Sequence, residues 1–187
     1  VLIAGSELFT GNCLLVIPLL EGEVTFGGVL RNWVCVYLGN FVGSTILAFL
    51  VAFGHSPSLL DGGLLDVVMS VASGKVALSF GDAFLRGIVC NMMVCLAVWM
   101  SFAGKTVASK IAGLYFPIMI FVMAGFEHSI ANMYYLMVCI FSNSIYWVGD
   151  AAVNLGAALT KNLLPVTLGN LVGGMAIGIV YWYLYLK

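Results

Sequence analysis

Two adjacent side chains in the second half of the chain can take part in proton chemistry, the carboxylate of Glu127 and the imidazole of His128. Both lie inside an apolar run, residues 111–141, that is long enough to cross a lipid bilayer as a helix. An ionisable pair at membrane depth is costly, and it faces protein or a water-filled path rather than lipid. Because an unperturbed imidazole has a pKa of about 6.5, His128 can hold or lend a proton at physiological pH.

The composition is that of a membrane protein with almost no soluble part. Of the 187 residues, 63% are hydrophobic and 8% are charged, whereas soluble domains carry about 25% charged residues. The net charge of -1 provides no basic surface for nucleic acid. The five cysteines show no CxxC spacing, and one histidine within the apolar runs supplies neither two haem ligands nor a hydrolase base. We therefore expect a multi-pass integral membrane protein that needs no metal or cofactor and is not an enzyme.

Five apolar runs are long enough to span a bilayer, and backbone hydrogen bonding in lipid restricts them to helices. They are residues 1–20, 32–54, 83–103, 111–141 and 163–186. Two longer links, residues 55–81 and 142–162, are more polar, and we expect each to form a short segment at the membrane surface. The chain is therefore predicted to be an all-α membrane protein with a single transmembrane domain, residues 1–187.

An internal repeat relates the two halves of the chain. The pattern Gly-x-Glu, with Asn five positions after the Glu, occurs at Glu7 and Asn12 and again at Glu127 and Asn132. A second shared pattern, Leu-Gly-Asn-x-Val-Gly, begins at residue 38 in the first half and at residue 168 in the second. The third apolar run has no counterpart, so we expect a further helix before residue 1 and six helices in all.

Three helices in each half require that the halves be inverted relative to each other. We predict that they comprise residues 1–54, the remainder of the first half, and residues 83–187. Inverted-repeat transporters bind substrate near the middle of the membrane, where helices in corresponding positions are interrupted. We place these interruptions at residues 9–12 and 127–132.

The repeat separates structural residues from functional ones. Glu7 and Glu127 precede the interruptions, where a carboxylate can accept hydrogen bonds from freed backbone N–H groups. The alternative for both is a cation site or a proton relay. Asn12 and Asn132 are expected to satisfy backbone groups on the other side of each interruption. His128 has leucine as its counterpart, so the repeat does not explain it, and we assign it a functional role rather than core packing.

Apolar residues near His128 can narrow a pore. Phe121 lies two helical turns before it on the same face, and Leu8 and Phe9 lie at the first interruption. These three side chains can form constrictions on either side of His128, with the hydroxyl of Thr10 between them. The alternative is packing against lipid or within the core.

Two further polar residues can belong to such a path. Asn91 lies in the middle of the third apolar run, and its amide is expected to face the interior. Lys75 shortly precedes this run. It is either an interfacial lysine that reaches the headgroups or a cation that attracts anions to the mouth of a pore.

Three segments of the chain resemble the formate/nitrite transporter family, and the resemblance extends over essentially the whole chain. They are residues 125–133 (GFEHSIANM), residues 7–10 (ELFT) and residues 91–100 (NMMVCLAVWM). The resemblance implies an aquaporin-like bundle of six transmembrane helices with discontinuous second and fifth helices, assembled as a homopentamer with one pore per protomer. It also implies transport of small monovalent anions such as formate, nitrite, hydrosulfide or lactate, with the family's hydrosulfide channels as one candidate clade.

The resemblance assigns roles to matching positions of this chain. It makes His128 the central pore histidine with Asn132 beside it, and Thr10 the threonine of a flexible loop at the first interruption. The remaining implied residues are Lys75 and Asn91 on the substrate path and Leu8, Phe9 and Phe121 at the constrictions. We expect such a protein in the lipid bilayer of a bacterial cytoplasmic membrane.

An anion that passes apolar rings faces a physical obstacle, because a bare charge in hydrocarbon is prohibitively costly. Either the anion takes a proton from His128 and crosses as a neutral acid, or it stays charged beside protonated His128 and free backbone N–H groups. Both versions predict pH-dependent transport. The alternatives are an aquaporin-type channel for neutral solutes, in which His128 only donates a hydrogen bond, and a quinone-binding or structural subunit of a redox complex.

Overall fold

The computed structural model describes residues 5–148 and 152–187, and within these ranges the chain folds into helices and links without a β-strand. The helices are α1 (Val16–Leu20), α2 (Phe26–Phe53), α3 (Gly63–Val76), α4 (Phe80–Ala103), α5 (Val107–Met123), α6 (Ser129–Tyr146) and α7 (Leu155–Tyr185). A 3₁₀ turn, Gly11–Leu15, precedes α1, and α7 contains a π-helical turn, Ala158–Leu163. The helices α2, α4 and α7 are long and apolar enough to cross a membrane. The all-α prediction is confirmed.

Most of the longer helices begin at a residue whose side chain accepts a hydrogen bond from the first turn. Thr25, Ser79, Thr106 and Asn154 do this for α2, α4, α5 and α7, and all four are residue types that favour this position. His128 does the same for α6. The positions of the helix starts therefore follow largely from local sequence.

Both predicted interruptions are present, at slightly different positions. Residues 5–8 form no helix, and the 3₁₀ turn begins at Gly11. The second interruption covers residues 124–128, so it begins earlier than predicted, and Asn132 lies within the first turn of α6. Gly5 and Gly125, which correspond in the repeat, have φ of 67° and 68°. This left-handed conformation favours glycine, which explains why the repeat retains a glycine at both positions.

The two long links differ from each other. Residues 55–81 contain the short helix α3, as predicted. In the second link, α6 continues to Tyr146 and α7 begins at Leu155, so the predicted surface segment 142–162 is wrong over most of its length. Residues 149–151 of that link lie outside the described residues, as do residues 1–4 of the first apolar run.

Glycines allow α4 and α7 to approach closely. A Cβ atom on Gly169 or Gly173 would overlap the backbone oxygen of Phe84 or Ile88, so no larger residue fits without separating the helices. The other main helix pairs are α2 with α6 and α4 with α5. The short helix α3 packs against α6 and α7 through Met69 and neighbouring apolar residues, which fixes the turn that carries Lys75.

Candidate functional site

The second interruption is organised around the carboxylate of Glu127, which is 4% exposed. Its Oε2 accepts hydrogen bonds from the side-chain amides of Asn132 at 2.6 Å and Asn162 at 3.1 Å. Its Oε1 accepts one from the ammonium of Lys75 at 2.9 Å. Asn132 also donates to Oδ1 of Asn162 at 2.8 Å. Two amides and one cation therefore surround a buried carboxylate.

The first interruption repeats this arrangement without the lysine. Oε2 of Glu7 accepts from the amides of Asn12 and Asn32, both at 2.8 Å. Asn12 also donates to Oδ1 of Asn32 at 2.9 Å. The same three hydrogen bonds thus occur at both interruptions, two of them to the glutamate, and among the described residues the ion pair is what the second interruption adds.

A third asparagine secures the backbone of each interruption. Asn170 donates to the carbonyl of Glu127 at 3.0 Å and accepts from the N–H two residues later at 2.9 Å. In the first half, Asn40 donates to the carbonyl of Glu7 at 3.2 Å and accepts from the N–H two residues later at 3.0 Å. The backbone of each interruption is thereby bound to the long helix beside it, α2 or α7.

These contacts correct our expectation for the glutamates and their asparagines. The carboxylates of Glu7 and Glu127 accept from side-chain amides rather than from freed backbone N–H groups. Asn12 and Asn132 bind these carboxylates and do not satisfy the backbone, because they lie just after each interruption and their amides reach back to it. The role expected of them belongs to the asparagines of the Leu-Gly-Asn pattern.

His128 connects the two interruptions. Its Nδ1 accepts the N–H of Ala131 at 3.0 Å and so caps α6. Because an accepting ring nitrogen carries no proton, the neutral ring has its proton on Nε2, which lies 3.0 Å from Oγ1 of Thr10 and donates to it. Phe121 stacks on the imidazole with ring centres 5.6 Å apart. The structure therefore brings together three of the predicted site residues, two of them hydrogen-bonded.

Asn91 binds the backbone beside the contact between His128 and Thr10. Its amide donates to the carbonyl of Thr10 at 3.1 Å and to the carbonyl of Asn170 at 2.6 Å. Asn170 in turn donates to the carbonyl of Gly87 at 2.8 Å. Asn91 and Asn170 are fully buried, so they bind the two interruptions to α4 and to each other.

A cavity of about 470 Å³ opens beside His128. Its polar lining residues are Lys75, Glu127, His128 and Asn132, and Phe121 and Tyr135 lie among its apolar ones. The ammonium of Lys75 lies 5.5 Å from the centre of the Tyr135 ring. The carboxylate of Glu127 balances the positive charge of this ammonium. The cavity wall therefore presents a cationic group, but the pair has no net charge. A lysine held in this way does not extend to the headgroups.

A second cavity, of about 480 Å³, lies at the first interruption. Leu8 lines it together with Glu7. Phe9 lines neither cavity; its ring packs edge-to-face on Tyr37 at 4.9 Å between centres. Successive side chains of the interruption point in different directions, so Leu8 and Phe9 do not line one of these cavities together. That Phe9 narrows the path stays a prediction.

Sequence reasoning missed Asn32 and Asn162, which complete the two carboxylate networks. The signal was present, because each lies six residues before the shared Leu-Gly-Asn pattern. It also missed a contact between the halves: the hydroxyls of Tyr37 and Thr167 are hydrogen-bonded at 2.9 Å. These residues occupy corresponding positions of the repeat, but their types differ, so the repeat does not reveal them.

Comparison with known proteins identifies the family of the chain. Residues 1–183 match the formate/nitrite transporter family. The formate channel FocA of Haemophilus influenzae is 40% identical over 98% of this chain and 69% of its own. A probable formate transporter of Methanothermobacter thermautotrophicus is 40% identical over 100% of this chain and 71% of its own. A solved structure described as a pentameric formate channel with formate bound superposes with a TM-score of 0.88, at 36% identity, over 100% of this chain and 78% of that one. The chain therefore belongs to the formate/nitrite transporter family, a family of membrane channels and transporters.

Proposed function

We propose that the chain conducts small monovalent anions of weak acids and that the anion passes between the two cavities at His128. The observation that carries this proposal is the hydrogen bond between Thr10 and His128. His128 lines one cavity, and Leu8 and Gly11, which lie close to Thr10 in sequence, line the second cavity. This bond closes the path, and conduction requires that it open.

Protonation of His128 is coupled to the start of α6 in this proposal. A neutral imidazole does not give up its Nε2 proton, so His128 must gain a proton on Nδ1 before it can lend one. That proton replaces the acceptor of the Ala131 N–H with a donor, and the cap of α6 is lost. The imidazolium, which takes its Nδ1 proton from water in the cavity, then transfers its Nε2 proton to the anion, which crosses as a neutral acid past Phe121. The ring returns to its resting form when Nε2 regains a proton from water and Nδ1 releases its own.

Formate is the first proposed substrate, because the relatives with a named substrate are named for formate. Nitrite and hydrosulfide are proposed as well, since each is a small anion that becomes a neutral acid on gaining one proton. The aquaporin-type alternative is not favoured by these relatives. Within the proposed path, Lys75 and Asn132 meet the anion in the first cavity, and Leu8 narrows the second.

We propose a homopentamer in a bacterial cytoplasmic membrane. The pentameric assembly of the solved relative supports the first part, and the bacterial source of FocA supports the second. The helix α2 has only three buried residues, Val29, Ala48 and Ala52, and many of its large hydrophobic side chains are exposed, as expected of a helix that meets lipid or another protomer.

We also propose that residues 1–54 and 83–187 are inverted halves. The matched hydrogen bonds of Glu7 and Glu127 support this. The corresponding roles of Asn40 and Asn170 support it as well.

Flux into proteoliposomes tests the function. Uptake of labelled formate is measured at pH 5 to 8 beside nitrite, hydrosulfide and glycerol, with protein-free liposomes to subtract diffusion of the neutral acids. We expect formate flux to exceed glycerol flux and to rise as the pH falls from 8 to 5. In His128→Asn, the side chain still caps α6 but cannot be protonated, so the pH dependence should disappear. An unchanged pH profile in this variant, or glycerol flux without anion flux, contradicts the proposal.

A further inference from the structure

Asn162 makes one contact that its counterpart Asn32 does not make within the described part of the chain. Asn32 and Asn162 each donate to the glutamate of one interruption and accept from the asparagine five residues after that glutamate. Asn162 also donates to the backbone carbonyl of Lys75, at 3.1 Å. The contacts that Asn32 and Asn162 share occur at both interruptions, so they are explained by the repeated fold. The additional contact of Asn162 therefore indicates a function that is specific to the second interruption.

The additional contact lies where α3 ends. Lys75 belongs to the last turn of this helix, whose carbonyls lack partners within the helix. The amide of Asn162 satisfies the carbonyl of Lys75, while Glu127 accepts from its ammonium. Since Asn162 also donates to Glu127 at 3.1 Å, one side chain holds both the backbone of the lysine and the partner of its charge.

The backbone around Asn162 departs from a regular α-helix. Asn162 lies in the π-helical turn of α7, Ala158–Leu163, whereas Asn32 lies in the regular helix α2. A π-helical turn adds a residue to the helix and redirects the side chains that it carries, and such turns are frequent at functional sites. Asn162 is fully buried, so its amide has no water to replace these partners.

We propose that Asn162 is a positioning residue for Lys75, which fixes the ammonium in the wall of the cavity beside His128 and thereby sets the affinity of the channel for its anion. The inference rests on the proposed function, since it assumes that the anion meets Lys75. Asn162 itself lies behind the ion pair and is not among the residues that line the cavity.

A double-mutant cycle in proteoliposomes tests the inference. The formate concentration at half-maximal flux is measured for the parent, Asn162→Ala, Lys75→Gln and the double variant, and Asn32→Ala serves as the matched control. We expect Asn162→Ala to raise this concentration about fivefold, the factor that corresponds to one ordinary hydrogen bond. In the Lys75→Gln background, Asn162→Ala should shift the half-maximal formate concentration less than about twofold, because the effects of coupled residues are not additive.

The outcomes separate positioning from a structural role. A structural role lowers the amount of assembled protein and the maximal flux, as expected for Asn32→Ala, and leaves the half-maximal concentration unchanged. Equal shifts in both backgrounds, or no shift with Lys75 present, overturn the inference. If Asn162→Ala does not assemble, Asn162→Ser, whose hydroxyl is too short to reach both partners, takes its place in the cycle. Absence of anion flux in the parent overturns the proposed function, whereas parent flux without coupling overturns only the inference.

Discussion

Asn170 should contribute strongly to stability, because it holds backbone groups from two elements. Its side chain donates to the carbonyls of Gly87 at 2.8 Å and Glu127 at 3.0 Å and accepts from the N–H of Ser129 at 2.9 Å. In Asn170→Ala three buried hydrogen bonds are lost, at about 1 kcal/mol each. We therefore expect the free energy of unfolding to fall by about 3 kcal/mol.

Asn40→Ala is the matched control for this prediction. Asn40 makes two of the corresponding hydrogen bonds, at 3.0 and 3.2 Å, in a more exposed setting. Because Asn40 makes one hydrogen bond fewer than Asn170 and is only partly buried, its loss should cost about 1–2 kcal/mol. Unfolding is followed in mixed detergent micelles by tryptophan fluorescence as the denaturing detergent is increased. Equal costs for the two variants, or a larger cost for Asn40→Ala, would refute the reasoning that burial and bond count set the difference.

Two further substitutions test the packing and the closure of the path. A Cβ on Gly174 would overlap the amide of Asn91, so Gly174→Ala should lower the free energy of unfolding by about 1–3 kcal/mol, whereas Gly43→Ala, with nothing within 4 Å among the described residues, should not lower it. Thr10→Val keeps the volume but leaves the Nε2–H of His128 without its acceptor, so unfolding in micelles should require about 1 kcal/mol less. Thr10→Ser should restore this stability, and failure to do so would assign the loss to packing.

The sequence was sufficient for the helical class and for the approximate positions of the two interruptions. The interruptions could be predicted because they depend on local sequence. Each contains a glycine at positive φ and the Gly-x-Glu spacing, and both are visible as residue types in the chain. The start of α6 was misplaced because histidine is not among the residue types that usually cap helices. His128 takes that position here through Nδ1, which no spacing rule predicts.

Contacts between distant segments could not be read in the same way. Lys75 and Glu127 are 52 residues apart, and their pairing depends on how α3 packs against α6. Without that packing, a lysine before an apolar run fits the membrane surface equally well. The direction of the Phe9 ring was likewise undetermined, because adjacent positions in an irregular turn do not follow the periodicity of a helix.

The hydrogen bond between Tyr37 and Thr167 has a consequence for how the chain can fold. These residues occupy corresponding places in the repeat, so the contact resembles the centre of an isologous interface, in which one patch meets its own copy. Each hydroxyl lies on a long helix of its own half and finds its partner in the other. A separated half would expose this polar group to lipid, where an unpaired group is costly. We therefore expect each half to be less stable alone than when joined to the other.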